Sequence, residues 1–306
     1  MIGGARTRLF GPAPAERLAA LRIVLGSAAW LYATARVADL ISVARLPQWQ
    51  FKPVGPVALL GAPLPSWLVV GLALATIIAG IPFVLGWRWR IAGPAFAVLL
   101  LWVISYRNSW GMVFHTENLM VLHVAVLAFA RSADAWSLDA RAAETAPSHA
   151  RYGAPIRLLV VVTAVTYFIA GYSKLANAGL AWVTSDTLRN FVAFDNLRKI
   201  ELGDTYSALG VALVQHPALF PPLAGFSLAV ELAAVLVVFD RRAAHAWCVA
   251  AWGFHVGVFA TMWIVFHYPL LGLAYAPYFA IERPIARLGG VFRKWWRRRT
   301  NSERGA

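Results

Sequence analysis

Runs of about 20 apolar residues recur along this chain, and that recurrence limits its fold more than any other feature. They fall at 18–43, 66–87, 90–106, 115–130, 155–175, 222–239, 244–266 and 268–281. A helix rises about 1.5 Å per residue and the hydrocarbon of a bilayer is about 30 Å thick, so each run is near the length of one crossing. Inside hydrocarbon the backbone must satisfy its own hydrogen bonds, which a helix does within a single segment. The pattern predicts an all-α, polytopic transmembrane helix bundle of about eight spans, with seven and nine as alternatives. The runs at 90–106, 115–130 and 268–281 are short, and would extend into their flanks, tilt or re-enter.

Composition points the same way. The 306 residues are 60% hydrophobic and 14% charged, whereas soluble domains carry about 25% charged residues. Fourteen Trp and nine Tyr suit the membrane interface, where an apolar ring with a polar tip is favoured. A net charge of +14 raises nucleic acid as a partner. The basic residues, however, cluster at the ends of apolar runs, where they meet lipid headgroups and set orientation. Membrane lipids are therefore the expected partner, and nucleic acid is not.

The distribution of Lys and Arg predicts the topology. With eight spans, one side holds Arg6, Arg8, Arg17, Arg88, Arg90, the 131–157 connection, Arg241, Arg242 and the tail from Arg283 to Arg304. The other holds only Arg45, Lys52, Arg107, Arg189, Arg198 and Lys199. Both termini are thus expected in the cytoplasm of a multi-pass cell-membrane protein. The organisation reads as a cytoplasmic N-terminal segment at 1–17, a transmembrane domain at 18–281 and a basic cytoplasmic tail at 282–306. Residues 1–20 lack the pattern of a cleaved signal peptide, so the first run is expected to be retained. Leu180–Ile200 reads as an amphipathic helix on the outer membrane surface. Phe292–Arg299 reads as an orientation signal or a segment for the anionic inner leaflet. No internal repeat supports an inverted-repeat transporter.

Polar residues inside such a bundle are costly and mark candidate sites. Thr163, Tyr167, Ala170 and Lys174 share one stripe of the fifth span. Lys174 sits roughly 12 Å above the span midpoint, at about 1.5 Å per residue. It either snorkels to the outer interface or serves as a desolvated base. His115 and Asn118 share a face at the head of the fourth span, on the same outer level, while Glu117 points roughly the other way. They either help form a site with Lys174 or cap and anchor the helix. Trp110, Trp182, His267 and Tyr268 belong to that layer too. Glu231 and His255 lie on two spans joined at Asp240–Arg242, about 5 Å apart in height. They would form a neutral pair that glues the helices or a relay toward the outer site. His123 reads as a single satisfied histidine. Cys248 is the single cysteine, which excludes an intrachain disulfide and a Cys-based metal cluster. No phosphate-binding loop, nucleophile elbow, dinucleotide fingerprint or metal-ligand spacing occurs.

Three blocks resemble the HTTM family, the membrane domain shared with vitamin K-dependent gamma-carboxylase. They are His115-Thr-Glu-Asn-Leu-Met with Arg131-Ser-Ala-Asp-Ala-Trp-Ser-Leu-Asp139; Tyr167-Phe-Ile-Ala-Gly-Tyr-Ser-Lys-Leu175 with Trp182 downstream; and Glu231 followed by Phe254-His255 and Thr261–Phe266. The blocks keep the family's order. The resemblance implies that Lys174 matches the second of two adjacent lysines in the carboxylase, its catalytic base, with Ser173 standing in place of the first. It implies His115 as the nearest match to an Asn-His pair and His255 as the match to a later Phe-His. Tyr167, Trp182, Glu231 and His255 are then candidate substrate-binding residues beside catalytic Lys174, His115 and Asn118. The cofactor or substrate implied is a quinone or a vitamin K-like hydroquinone. The carboxylase's large lumenal domain has no counterpart before Ala306, which argues against gamma-carboxylation of a docked protein. Bacterial members, in the inner membrane, resemble export or immunity partners or accompany thiol-disulfide proteins of the DCC type. Three functions stay open: an interfacial enzyme using Lys174 as base, a non-enzymatic scaffold or export or immunity partner, and a proton-coupled transporter.

Overall fold

The computed structural model describes residues 11–111, 113, 115–140 and 148–287. The N-terminal basic residues Arg6 and Arg8, Arg141 and the basic aromatic segment Phe292–Arg299 lie outside them. Among the described residues the regular structure is helical, apart from one isolated bridge between Ala13 and His149. The principal helices are α1 (Ala15–Ala35), α2 (Ser66–Leu85), α3 (Trp89–Arg107), α4 (Asn118–Phe129), α5 (Ala150–Ala178), α6 (Thr187–Glu201), α7 (Ala208–Val214), α8 (Phe220–Ala233) and α9 (Arg241–Met262). Six are long and apolar enough to cross a bilayer: α1, α2, α3, α5, α9 and α8 with its 3-10 continuation to Val238. α4 is apolar but only 12 residues long. The run at 268–281 is not one helix. It breaks into His267–Leu270 and a 3-10 segment at Leu273–Tyr278, with Gly272 in the left-handed region at φ 74° between them.

The chain divides into two compact units, one of residues 1–158 and 279–306, the other of residues 159–278. In the first unit, α2 ends at Gly86, whose φ of 64° lets its N–H and that of Trp87 return to the carbonyls of Phe83 and Pro82. The start of α3 carries no cap of its own. Instead Asp139 accepts the N–H groups of Arg88 at 3.0 Å and Trp89 at 2.7 Å. The 131–139 segment that brings Asp139 there is held by Arg22 of α1. This arginine is fully buried and donates to the carbonyls of Ser132 at 2.7 Å and Trp136 at 2.5 Å. A Cβ at Gly86 would stand 2.7 Å from the guanidinium, so glycine serves both the turn and the close approach. Arg17 and Glu282 add a two-point ion pair, at 3.0 and 3.1 Å.

In the second unit the C-terminal end of α9 is sealed by side chains. Ser207 Oγ donates to the carbonyl of Ala260 at 2.5 Å, Asn196 Nδ2 to that of Thr261 at 2.9 Å, and Lys199 Nζ to that of Met262. The last carbonyls of a helix have no partner within it, and a cation there also meets the negative end of the helix dipole. The segment read from sequence as one amphipathic helix over Leu180–Ile200 is two helices, Ala181–Thr184 and α6, separated at Ser185. The polar stripe of α6 provides two of the three caps.

Arg22→Met should destabilise the protein through the two carbonyls it leaves unbonded, at about 1–3 kcal/mol each. Thermal unfolding in detergent, followed by tryptophan fluorescence, should show a clear fall in Tm. An unchanged Tm would contradict this role for Arg22.

Candidate functional site

Lys174 lies in the last turns of α5, half-buried, and reaches Glu231 in the last turn of α8. Its Nζ donates to Oε1 at 2.5 Å and to Oε2 at 2.6 Å. The lysine side chain is 21% exposed and the glutamate side chain 5%, so the carboxylate is the enclosed partner and the ammonium the accessible one. The approach depends on Gly171, one turn before Lys174. A Cβ there would lie 2.8 Å from Cβ of Glu231 and 3.1 Å from Leu232, which the packing of α8 against α5 does not allow.

Two rings bracket the ammonium. Trp182, on the short helix after α5, has its ring centroid 4.9 Å from Nζ, and Phe254 of α9 lies at 5.7 Å. Both are within cation–π range. The indole N–H of Trp182 is buried and meets no acceptor among the described residues. An ammonium has three N–H groups, and Glu231 takes two of them.

Two turns earlier on α5, Tyr167 is the centre of a second polar cluster. Its hydroxyl lies 2.7 Å from Nε2 of His255 and 2.8 Å from the hydroxyl of Tyr275. The edge of the ring packs on Trp247 at 5.0 Å, and all four residues are buried. Trp247 in turn donates to the carbonyl of Val230 at 2.8 Å. The stripe read from sequence is thus present, with Thr163 and Tyr167 buried and Lys174 at its open end. The partners differ from those expected. Glu231 pairs with Lys174 and not with His255, which hydrogen-bonds Tyr167.

His115 and Asn118 belong to the first unit and lie on its surface at the head of α4. Between them Glu117 is turned inward, 6% exposed. It accepts from Arg107 at 3.3 Å and from the Tyr32 hydroxyl. Sequence reasoning passed over this acid, although Tyr32 and Arg107 stand near the ends of two neighbouring spans and the face opposite His115 was the buried one. His123 is fully buried. A cavity of about 180 Å³ in the first unit is lined by residues that include Ala44, Leu46, Gln48, Leu64, Tyr106 and, from the outer layer read in the sequence, Trp110; none of the candidate catalytic or substrate-binding residues borders it. No group of three or more His, Cys, Asp or Glu among the described residues is placed to hold a metal ion.

The family model for the HTTM domain matches residues 10–282, a stretch that contains every residue of both polar clusters. No curated protein and no solved structure matches the chain significantly.

Removing one member of an enclosed ion pair strands the other, at a cost of about 3–5 kcal/mol. Lys174→Met and Glu231→Leu should each lower stability by about that much, and the double variant by clearly less than the sum. A double-mutant cycle on Tm in detergent measures the coupling. Additive losses would show that the two side chains do not stabilise each other.

Proposed function

This chain belongs to the HTTM domain family, and on that premise we propose that it is a multi-pass membrane enzyme in which Lys174 acts as base toward a lipid-soluble, hydroquinone-like substrate. The observation that carries the reading is the Lys174–Glu231 pair itself: a half-open ammonium held by an enclosed carboxylate between two aromatic rings. The six long apolar helices among the described residues are those of a multi-pass membrane protein, and the reading puts it in the cell membrane, in a bacterium the inner one. Under the positive-inside expectation, the C-terminal end of α5 then faces outward.

An ammonium gripped by two carboxylate oxygens is not yet a base. In a water-poor setting the ion pair loses much of the hydration that favours separated charges. One proton shift from Nζ to Glu231 leaves a lone pair on Lys174. A phenolic hydroxyl then gives its proton to Nζ, and the phenolate formed lies against the new ammonium, which stabilises it. Glu231 acts as the store for the proton that Lys174 must lose first. The groups present suit such a substrate. Trp182 and Phe254 offer faces for a flat ring. The third N–H of Lys174 and the indole N–H of Trp182 are donors matched to a phenolic oxygen. The reading is built on the second unit alone; His115 and Asn118 have no part in it.

A second reading has its own support. Both oxygens of Glu231 are satisfied by Lys174, as in a pair whose only work is to join α5 to α8. A charge swap separates the two readings. Purified protein in lipid vesicles is given a menaquinol-type hydroquinone and molecular oxygen, and quinone formation is followed by absorbance. Lys174→Ala should lower the rate by about 10²–10⁴-fold, the usual contribution of a positioned acid or base. The swapped Lys174→Glu/Glu231→Lys protein should keep its Tm yet stay inactive. Unchanged turnover in Lys174→Ala would rule out the enzyme reading. A swapped protein that complements a deletion strain would favour the helix joint.

A further inference from the structure

The helix α6 is turned opposite to what its polarity suggests for a helix resting on a protein from the aqueous side. Its residues Val192, Asn196 and Lys199 are buried, two of them polar. Phe191, Phe194 and Leu197 are 54%, 67% and 55% exposed. A helix that met water on its outer side would put the aromatic residues inward and the amide and ammonium outward. Here the polar groups are used as caps, and the aromatic groups are turned away from the unit.

Depth says what they meet. α9 has 22 residues, a length of about 33 Å, close to the roughly 30 Å of hydrocarbon. Its last carbonyls therefore lie at the edge of the acyl region, and α6 is seated on those carbonyls through Asn196 and Lys199. The exposed face also changes along its length. Phe191 and Phe194 occupy the half that adjoins the short helix Ala181–Thr184, where Phe191 packs on Trp182 at 5.9 Å. Arg198 and Glu201 are exposed in the other half. Aromatic rings toward one end, and charges set among the exposed aliphatic residues Leu197, Ile200 and Leu202 toward the other, fit a helix inclined from acyl chains toward headgroups. A second protein copy seated on this face would have to cover Arg198 and Glu201 along with the aromatic residues.

We propose that α6 is immersed in the bilayer at the α5 C-terminal end, with Phe191, Phe194 and Leu197 among lipid acyl chains, and that this lipid-facing surface continues through Trp182 to the edge of Lys174. Ring contacts make the path continuous: Phe191 touches Trp182, and Trp182 covers the ammonium. The immersion does not depend on any reaction at Lys174.

Spin labels on single cysteines test the first part. In a Cys248→Ala background, Phe191→Cys, Phe194→Cys and Leu197→Cys are labelled in phospholipid vesicles, with Asp204→Cys as an exposed polar reference. The three labels should collide often with dissolved oxygen and rarely with a water-soluble nickel chelate, and the reference should show the reverse. Chelate access at Phe191 and Phe194 equal to that at the reference would place the stripe in water and overturn the proposal. Low access to both reagents would mean that protein covers it, and would overturn it equally. Tryptophan quenching by phosphatidylcholine with brominated acyl chains tests the continuation. Trp182→Phe, which keeps a ring over Lys174, should lower the quenchable fraction. An unchanged fraction would end the path at Phe191.

Discussion

Water is scarce inside a bilayer, so a polar group placed there must be satisfied by the protein. That constraint governs the helix ends and the charged side chains of this chain alike. The carbonyls of Ser132 and Trp136 turn to Arg22, the last carbonyls of α9 turn to Ser207, Asn196 and Lys199, and Glu231 turns to Lys174. Each solution needs two elements to come unusually close, and each uses a glycine at the meeting point. Gly86 stands against Arg22, Gly171 against Glu231, and Gly210 against the carbonyl of Thr261. The small residues are part of the electrostatics, because they set how near a charge can come to its partner.

These arrangements differ in what they leave over. Arg22 is wholly enclosed and tied to a segment that also caps α3, so its work ends with the fold. Lys199 is likewise spent on a helix end and on Asp195 at 2.7 Å. Lys174 keeps one N–H beyond its two bonds to Glu231, a side chain still partly open, and a neighbouring indole donor with no acceptor among the described residues. Arg22 Nε and Glu117 Oε2 are also without partners among the described residues, but both are enclosed; the partial opening of Lys174 is what sets the pair apart and gives a functional reading somewhere to stand.

The spans were readable because length and hydropathy are what a bilayer selects for. Their limits were less so. Residues 268–281 are apolar throughout, but Pro269, Gly272 and Pro277 divide them into short turns. Counting from the Asp240 turn puts Glu231 and His255 at similar heights but says nothing of rotation about the helix axes. Both face α5, but at different residues: Glu231 meets Lys174, and His255 meets Tyr167 two turns earlier. Gly171 was the clue, since a glycine one turn before a membrane lysine marks where another helix closes in. Amphipathicity in α6 was visible too, but a sequence pattern cannot tell which face meets the protein. The same ambiguity at the head of α4 drew attention to His115 and Asn118 and away from Glu117.

Helix electrostatics account for only half of the central pair. Lys174 lies near the C-terminal end of α5, where the dipole favours a cation. Glu231 lies near the end of α8, which runs on as a 3-10 helix to Val238, so no helix N-terminus supports its charge. Its place is therefore not explained by the helix that carries it. Nor is it explained by solvent, since the carboxylate is nearly closed off. What holds an acid at that position is the ammonium across the gap. The ion pair, more than either helix end, is therefore what fixes α8 against α5 at this point, with Gly171 leaving the room for it.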